Sequence, residues 1–273
     1  MTRRSQPNPG ASHSASASAA KYRAPALERG LAILELLASH AEGLTQNRIA
    51  GALGNAVSEN FRMLEVLLRC GFVEKTPARD AFRLTPKLFV MGQQFPPVQR
   101  LLDAALPRMR ALSALVGQSC HLAVGTHRRF LVLANVESSQ PISFTVRPGG
   151  MWPYEEGVSG RTLLAFRRPE IYEAWKERMQ AEGEAIDWAV LEPALARIRQ
   201  RGYEEAESRF VTGITDIAAP IRDPRGEALA ALCLPYVSFR SASHTREQAR
   251  RELLLAAGEL QTTLGAASKP FAT

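Results

Sequence analysis

The chain has 273 residues, of which 45% are hydrophobic, and it carries a formal net charge of +7. This length favours two domains over one, and the apolar content suffices for two cores. The charge is uneven: residues 1–100 carry 13 lysines and arginines against 7 acids, a balance of +6, whereas residues 101–273 carry 21 against 20, a balance of +1. A positive excess confined to the first hundred residues indicates a surface that meets phosphates.

Cysteine usage and hydropathy indicate the cytoplasm. Three widely spaced cysteines without a CxxC pair argue against a disulfide scaffold and against a structural zinc site. No apolar run reaches the roughly 18 residues that a membrane span needs. Residues 1–22 are rich in Ser, Ala and Pro and lack an apolar segment, so we predict a disordered tail rather than a secretory signal. A basic arm that contacts DNA is the alternative for this tail.

Residues 43–72 have the pattern of a helix-turn-helix. Thr45 stands where a helix N-cap is expected, and its hydroxyl could accept from a free backbone N–H. Gly54-Asn55 breaks the helix, since both residues tolerate the left-handed conformation of a sharp turn. A second helix runs to about Cys70 and is ended by Gly71. In such a motif the second helix fits the major groove of DNA.

The flanking segments extend this motif to a winged helix over residues 23–92. A helix is predicted from about Pro25 to Ser39, where leucines recur at helical spacing. Alternating residues at 72–75 and 81–84, on either side of a turn with Pro77, predict the β-hairpin wing. Pro96-Pro97 marks a boundary, and residues 93–117 are predicted as a linker helix.

The remaining residues, 118–267, alternate between strand and helix patterns and predict an α+β domain with an antiparallel sheet. The predicted strands are Cys120–Val124, Phe130–Val136, Ile142–Arg147, Ile214–Ile221 and Ala228–Val237. The predicted helices are Arg161–Arg167, Pro169–Ala181, Glu192–Arg201 and Thr245–Leu264.

The second helix of the helix-turn-helix motif carries the candidate base contacts. Its spacing predicts an inward apolar stripe made of Val57, Phe61, Leu64 and Leu68. Arg62 would then pair with guanine and Glu59 with the amino group of cytosine, while Ser58 binds phosphate. The alternative is that Glu59 and Arg62 form a surface pair with each other. Further candidate DNA contacts are Gln46, Arg48, Lys75, Arg79 and Arg83.

In the second half, Gly157-Val158-Ser159-Gly160 precedes a predicted helix. Free N–H groups at such a helix start suit a carboxylate, although a glycine turn without a ligand fits the sequence equally well. Cys120 and His121 would lie on opposite faces of a strand, so we predict neither a metal site with His127 nor any cofactor. Three aromatic residues could line a pocket or belong to the core: Trp152, Tyr154 and Trp188.

These residues together resemble the IclR family of bacterial transcription regulators, from about residue 24 to 265. The resemblance rests on LERGLAILELL at 27–37, on Ser58, Arg62 and Leu64, and on Gly71-Phe72-Val73. In the second half it rests on Ser159-Gly160-Arg161 and on the run from Gly213 to Pro220.

The resemblance implies a winged helix-turn-helix, a linker helix and a GAF-like effector-binding domain, assembled as a homodimer or homotetramer. The candidate effector contacts, most of them carried over from the family's positions, are His121, Val158, Ser159, Glu207, Asp216, Cys233 and Pro235. A carboxylate is a candidate effector, but Asp216 would repel a small anion unless a hydroxyl or a cation meets it.

The sequence therefore predicts a cytoplasmic, bacterial DNA-binding regulator without catalytic residues. It would bind a pseudo-palindromic operator in double-stranded DNA, and a small metabolite would modulate that binding. The alternative is a GAF-like small-molecule-binding protein or an enzyme, with Cys120, His121 and Glu155 as its catalytic group. Its winged helix would then serve protein contacts.

Overall fold

The computed structural model describes residues 24–76, 80–239 and 243–267. Two compact units divide between Phe95 and Pro96. The predicted N-terminal tail, the wing tip with Pro77 and the candidate Arg79 lie outside the described residues.

The N-terminal unit is a helix-turn-helix with a small antiparallel sheet of strand order β1-β3-β2. Its elements are α1 (Pro25–Ala38), β1 (Leu44–Thr45), α2 (Gln46–Leu53), α3 (Val57–Arg69), β2 (Val73–Thr76), β3 (Ala81–Leu84) and α4 (Lys87–Gln93). Pro25 begins α1, where the missing N–H of proline costs nothing. Gly54 ends α2 at φ 65°, in the left-handed conformation that the turn prediction requires. The predicted hydroxyl cap is wrong: Thr45 occupies the N-cap position of α2, but its side chain makes no capping hydrogen bond.

The core of this unit fixes the orientation of α3, and it corrects the predicted apolar stripe. The buried residues of α3 are Asn60, Leu64 and Leu67, whereas Val57 is 42% exposed and Phe61 is 46% exposed. Leu64 and Leu67 pack with Ile33 of α1. The helix is therefore rotated relative to the prediction, and the apolar residues of its first turns face outward.

Asn60 is fully buried among these apolar residues. Neither its side-chain nitrogen nor its oxygen has a hydrogen-bond partner in the described part of the chain. An unpartnered buried amide costs about 1–3 kcal/mol, since it loses its water and gains nothing in return. The start of α3 is thus held by Leu64 and Leu67, against an unfavourable contribution from its fourth residue.

The C-terminal unit contains a six-stranded sheet in which all neighbouring strands are antiparallel, in the order β6-β5-β4-β9-β8-β7. Its elements are α5 (Pro96–Val116), β4 (Cys120–Gly125), β5 (Arg129–Val136), β6 (Met151–Pro153), α6 (Val158–Ala165), α7 (Pro169–Ala181), α8 (Trp188–Arg201), β7 (Glu204–Glu207), β8 (Ile214–Arg222), β9 (Ala228–Val237) and α9 (Arg246–Ala267). The helix α5, predicted as a linker, is unbroken at Pro107 and packs into this unit.

The sheet is covered on both faces. On one face, α5 and α9 bury Met109 and Leu253 against Leu122 of β4. On the other face, α6, α7 and α8 pack around Phe130 and Trp175. Each fully buried side chain of this size contributes about 1.5–3 kcal/mol of burial free energy, so both layers hold the sheet firmly.

One predicted strand is wrong. Residues 142–147 form no strand; the edge strand is β6, which pairs with Arg129–Leu131 of β5. Several residues of the segment between β5 and β6 instead line a cavity. Two of its alternating apolar residues, Phe144 and Val146, thus line a cavity rather than pair with a neighbouring strand, whereas Ile142 is 70% exposed.

We expect Asn60→Val to stabilise the N-terminal unit by about 1–3 kcal/mol, because it removes an unpartnered buried amide. Native-state hydrogen exchange of the α3 amides measures this change as slower exchange. Asn47→Val is the matched control, since Asn47 is an exposed asparagine in α2, and it should change the free energy by less than about 0.5 kcal/mol. A less stable Asn60→Val protein would show that the amide is satisfied by water.

Candidate functional site

A cavity of about 450 Å³ lies in the C-terminal unit, between the sheet, the start of α6 and the segment that precedes β6. This volume falls in the range of small-molecule sites. Its lining residues are His121, Phe130, Val132, Phe144, Thr145, Val146, Arg147, Gly150, Trp152, Gly157, Val158, Ser159, Ser208, Phe210, Asp216 and Cys233.

The sheet side of the cavity carries a small polar cluster. His121 of β4 stands opposite Cys233 of β9 in the strand register. The Nε2 atom of His121 lies 3.1 Å from the hydroxyl oxygen of Ser159, which belongs to the first turn of α6. Burial lowers the pKa of His121 to about 4, so its imidazole is neutral near pH 7. Burial also raises the pKa of Cys233 well above its usual value, which keeps this thiol protonated.

Asp216 adds one acidic group to the lining. Burial raises the pKa of its carboxyl group, while a hydrogen bond with Ser208 and the charge of Arg161 act in the opposite direction. Arg161 itself is engaged, since its Nε donates to Glu204 at 2.7 Å and both side chains are only 11% exposed. This ion pair ties α6 to β7, so Arg161 acts on Asp216 through its charge, while Ser208 supplies the hydrogen bond to that carboxyl group.

Aromatic rings form the apolar part of the wall. Phe130 and Trp152 stack with ring centroids 5.7 Å apart, and Trp152 meets Phe210 at 6.1 Å. Phe144 completes the set. Rings in such arrangements favour a flat apolar ligand, which adds contact area and edge or face interactions.

Two glycines allow α6 to approach these rings. A Cβ atom on Gly157 or on Gly160 would lie 2.7 Å from the Phe130 ring. Such a distance is too short for two carbon atoms, so a larger residue would push α6 away from β5. The Gly-Val-Ser-Gly segment is therefore required by packing as well as by any ligand.

The cavity gathers five of the seven predicted effector residues, namely His121, Val158, Ser159, Asp216 and Cys233. The other two do not line it among the described residues: Glu207 is exposed on β7, and Pro235 is buried in β9 opposite Asp216. Of the three aromatic candidates, only Trp152 lines the cavity. Tyr154 is buried and donates to the Thr126 carbonyl, and Trp188 packs on Trp175.

Sequence reasoning missed Arg147, Phe144 and Phe210 as cavity residues. Arg147 is exposed at the cavity and has no carboxylate partner within the described residues. The prediction had placed Phe144 and Arg147 in a strand. The signal for a loop was the glycine pair Gly149-Gly150, which comes shortly after Phe144 and Arg147 in the sequence.

On the N-terminal unit, the predicted DNA contacts fall into two groups. Arg48, Ser58 and Arg62 are exposed, and neither arginine has an acidic partner in the described segments. Gln46 instead donates from Nε2 to the Val57 carbonyl at 3.1 Å, which ties the start of α2 to the start of α3. The alternative pairing of Glu59 with Arg62 is not formed, because Glu59 pairs with Arg29 at 3.3 Å.

The wing residues are also engaged. Arg83 donates to Glu74 across the hairpin at 2.6 Å. Lys75 lies 3.5 Å from Asp80 and 5.3 Å from the centre of the Phe82 ring. These exposed ion pairs are weak, so both cations remain available to phosphate at little cost.

No catalytic constellation forms at the predicted residues. Cys120 points to the α5 side of the sheet, where its thiol donates to the Met109 carbonyl, whereas His121 faces Ser159 on the other side. Burial raises the pKa of the Cys120 thiol to about 12, so it carries no thiolate near pH 7. Within residues 24–76, 80–239 and 243–267, no three metal-binding side chains come together.

We expect His121 to make the fold less stable in acid. Its pKa is lowered in the folded state, so the unfolded chain binds the extra proton, and the stabilisation present above about pH 6.5 is lost as the pH falls towards 4. The loss is up to roughly 3 kcal/mol. Denaturant unfolding at pH 7 and pH 5 should show a steeper decrease for the parent protein than for His121→Gln. Equal decreases in the two proteins would mean that the fold does not lower the pKa of His121.

Comparison with known proteins places both units in one family. Residues 26–77 match the IclR helix-turn-helix domain, and residues 97–262 match the domain described as bacterial transcriptional regulator IclR C-terminal. The chain is 30% identical over 240 residues to the HTH-type transcriptional regulator BhcR of Paracoccus denitrificans, covering 86% of this chain and 85% of that protein.

Two further relatives support the same family. The glycerol operon regulatory protein of Streptomyces coelicolor is 31% identical over 212 residues, covering 76% of this chain and 82% of that protein. An IclR homologue from Microbacterium hydrocarbonoxydans, whose crystal structure holds 4-hydroxybenzoate, superposes with a TM-score of 0.72 at 25% identity, covering 89% of this chain and all of that one. No described helix of the present chain is long and apolar enough to cross a membrane.

The predicted fold class is thereby confirmed: an N-terminal winged helix-turn-helix precedes an α+β domain of the kind found in solved IclR structures. The homologues of this chain are transcriptional regulators rather than enzymes. The chain belongs to the IclR family of bacterial transcriptional regulators, with a helix-turn-helix DNA-binding domain followed by the family's C-terminal domain.

Proposed function

We propose that the effector is an aromatic carboxylate that carries a hydroxyl group. One observation carries this proposal: an aromatic-walled cavity offers both an arginine without an acidic partner in the described chain and a partly buried aspartate. Arg147 would bind the carboxylate. Asp216 would accept from the hydroxyl, which also removes the repulsion that a simple anion would meet there.

The relative from Microbacterium hydrocarbonoxydans supports this class of ligand, since 4-hydroxybenzoate has a ring, a carboxylate and a hydroxyl. In this chain the ring would lie against Phe130 and Trp152, and Ser159 and the neutral His121 would complete the polar contacts. Which aromatic acid acts in the cell depends on how its other substituents fill the cavity.

Calorimetric titration with three probes tests the effector class: 4-hydroxybenzoate, benzoate and 4-hydroxybenzyl alcohol. We expect 4-hydroxybenzoate to bind about tenfold more tightly than either of the others, because each lacks one charge-assisted hydrogen bond. Arg147→Gln should remove the preference for the acid over the alcohol. The control is Arg225→Gln, which replaces an exposed arginine in the turn between β8 and β9. Equal binding of acid and alcohol by the parent protein would refute the proposed role of Arg147.

The chain acts, in this proposal, as a homodimer or homotetramer in the bacterial cytoplasm and has no enzymatic activity. Paired recognition helices require a pseudo-palindromic operator. A metabolite that binds one arrangement of the oligomer more tightly shifts the population, and so changes the spacing of the two helices. The protonated Cys120 and its separation from His121 favour binding over catalysis.

Arg62 is the proposed guanine contact, supported by its exposure on α3 and its lack of an acidic partner in the described segments. We expect Arg62→Ala to weaken operator binding by about 1–3 kcal/mol and to relax base preference at one position per half-site. Arg69→Ala is the control, because Arg69 is exposed at the far end of the same helix. Footprinting across a salt series measures both variants. Unchanged operator binding by a folded Arg62→Ala protein would exclude this role.

A further inference from the structure

The exposed start of α3 carries two large apolar side chains. Val57 is 42% exposed and Phe61 is 46% exposed. Four residues apart on a helix, they lie one turn above each other and form one continuous strip. We call this pair the apolar strip. The hydrophobic effect disfavours such exposure, so the strip is a surface that gains free energy when a partner covers it.

The residues beside the apolar strip favour an anionic partner. Ser58 and Arg62 form a parallel polar strip, also one turn apart. Arg62, and Arg48 of α2, have no acidic partner among the residues described. The one acid of this turn, Glu59, is neutralised by Arg29. A negatively charged partner with apolar groups therefore fits this face better than a basic or neutral helix would.

DNA provides both properties at this place. The first residues of a recognition helix contact base edges in the major groove. The apolar group on those edges is the 5-methyl group of thymine, and phenylalanine is one of the side chains that contact it. Phosphates beside the groove supply the negative charge.

We propose that Val57 and Phe61 contact thymine methyl groups in each operator half-site, so that hydrophobic readout contributes to sequence specificity beside Arg62. This inference rests on operator binding by the helix-turn-helix. It assigns a role to the two residues that the buried face formed by Asn60, Leu64 and Leu67 leaves outside.

Deoxyuridine substitution tests the inference, because uracil differs from thymine only by the missing methyl group. The operator is first defined by footprinting, and its thymines are then replaced one at a time. We expect at least one thymine per half-site to show about a fourfold loss of affinity, equivalent to burying one methyl-sized group, about 0.8 kcal/mol. Phe61→Ala or Val57→Ala should bind the thymine and uracil operators equally at the position that it contacts.

Val66→Ala is the matched control, since Val66 lies on the same helix and is also 42% exposed, but stands in its third turn. This variant should retain the full sensitivity to deoxyuridine. Circular dichroism and light scattering of each variant verify that fold and oligomeric mass are unchanged.

Three results would overturn the inference without affecting the role of the protein as a transcriptional regulator. One is operator binding by the parent protein that is indifferent to every deoxyuridine. Another is sensitivity that persists in both Val57→Ala and Phe61→Ala. A third is a change in oligomeric mass without a change in sensitivity, which would assign the strip to a second copy of the chain. Absence of any operator binding by the parent protein would instead refute the function from which the inference starts.

Discussion

The strand β4 carries the constraint on which the C-terminal unit depends, because its two faces are both buried and serve different purposes. Cys120 and Leu122 point to the helices α5 and α9, whereas His121 and Ala123 point to the side of α6. Alternation along a strand makes this division unavoidable. It places a structural thiol and a cavity-lining imidazole next to each other in sequence, yet on opposite sides of the sheet.

The cavity follows from that arrangement and from the close approach of α6. His121 meets Ser159, and the glycines at 157 and 160 let the helix start come against Phe130. The pKa of His121 is lowered by the same burial that shapes the site, so His121 and Ser159 offer neutral groups, and Arg147 and Asp216 are the charged side chains of the cavity lining. In the proposed mode, a ligand with a carboxylate for Arg147 and a hydroxyl for Asp216 would bind more tightly than a simple keto acid, which has no hydroxyl to donate.

In the N-terminal unit, the face of α3 that is buried determines which side chains of this helix are exposed for contact with DNA. Burying Asn60 with Leu64 and Leu67 costs an unsatisfied amide, but it turns Ser58 and Arg62 outward together with Val57 and Phe61. The hydrogen bond of Gln46 with the Val57 carbonyl then ties the helix start to α2, and the partly exposed ion pair of Glu59 with Arg29 adds little to this. Gln46 is thus a positioning residue in this structure rather than a free donor.

Much of the fold could be predicted because local signals agree with tertiary packing. Gly54 marks the turn, and Gly202 ends α8 in the left-handed conformation. The prediction of the buried face failed where the sequence allowed two helical stripes. On α3, Val57 and Phe61 continue a helical stripe with Leu64 as well as Asn60 and Leu67 do, and the packing against α1 separates the two choices.

The same limit applies to the candidate site. Residues 142–147 have the alternation of a strand, but they form no strand, and residues 144–147 line a cavity instead. Family resemblance predicted effector contacts on α6, β7, β8 and β9, and the predicted residues on α6, Asp216 of β8 and Cys233 of β9 line the cavity. It gave no position for Arg147 or Phe210, since a loop and an aromatic wall depend on contacts between residues far apart in sequence.

The central claim is that ligand binding in the cavity and operator binding are coupled, and linkage tests it most directly. The affinity of the protein for its footprinted operator is measured with and without a saturating aromatic acid, chosen as the tightest probe in the calorimetric series. The affinity for that acid is then measured with and without the operator. The account predicts that the two ratios are equal and differ from one. An acid that binds in the cavity but leaves operator affinity unchanged would contradict it.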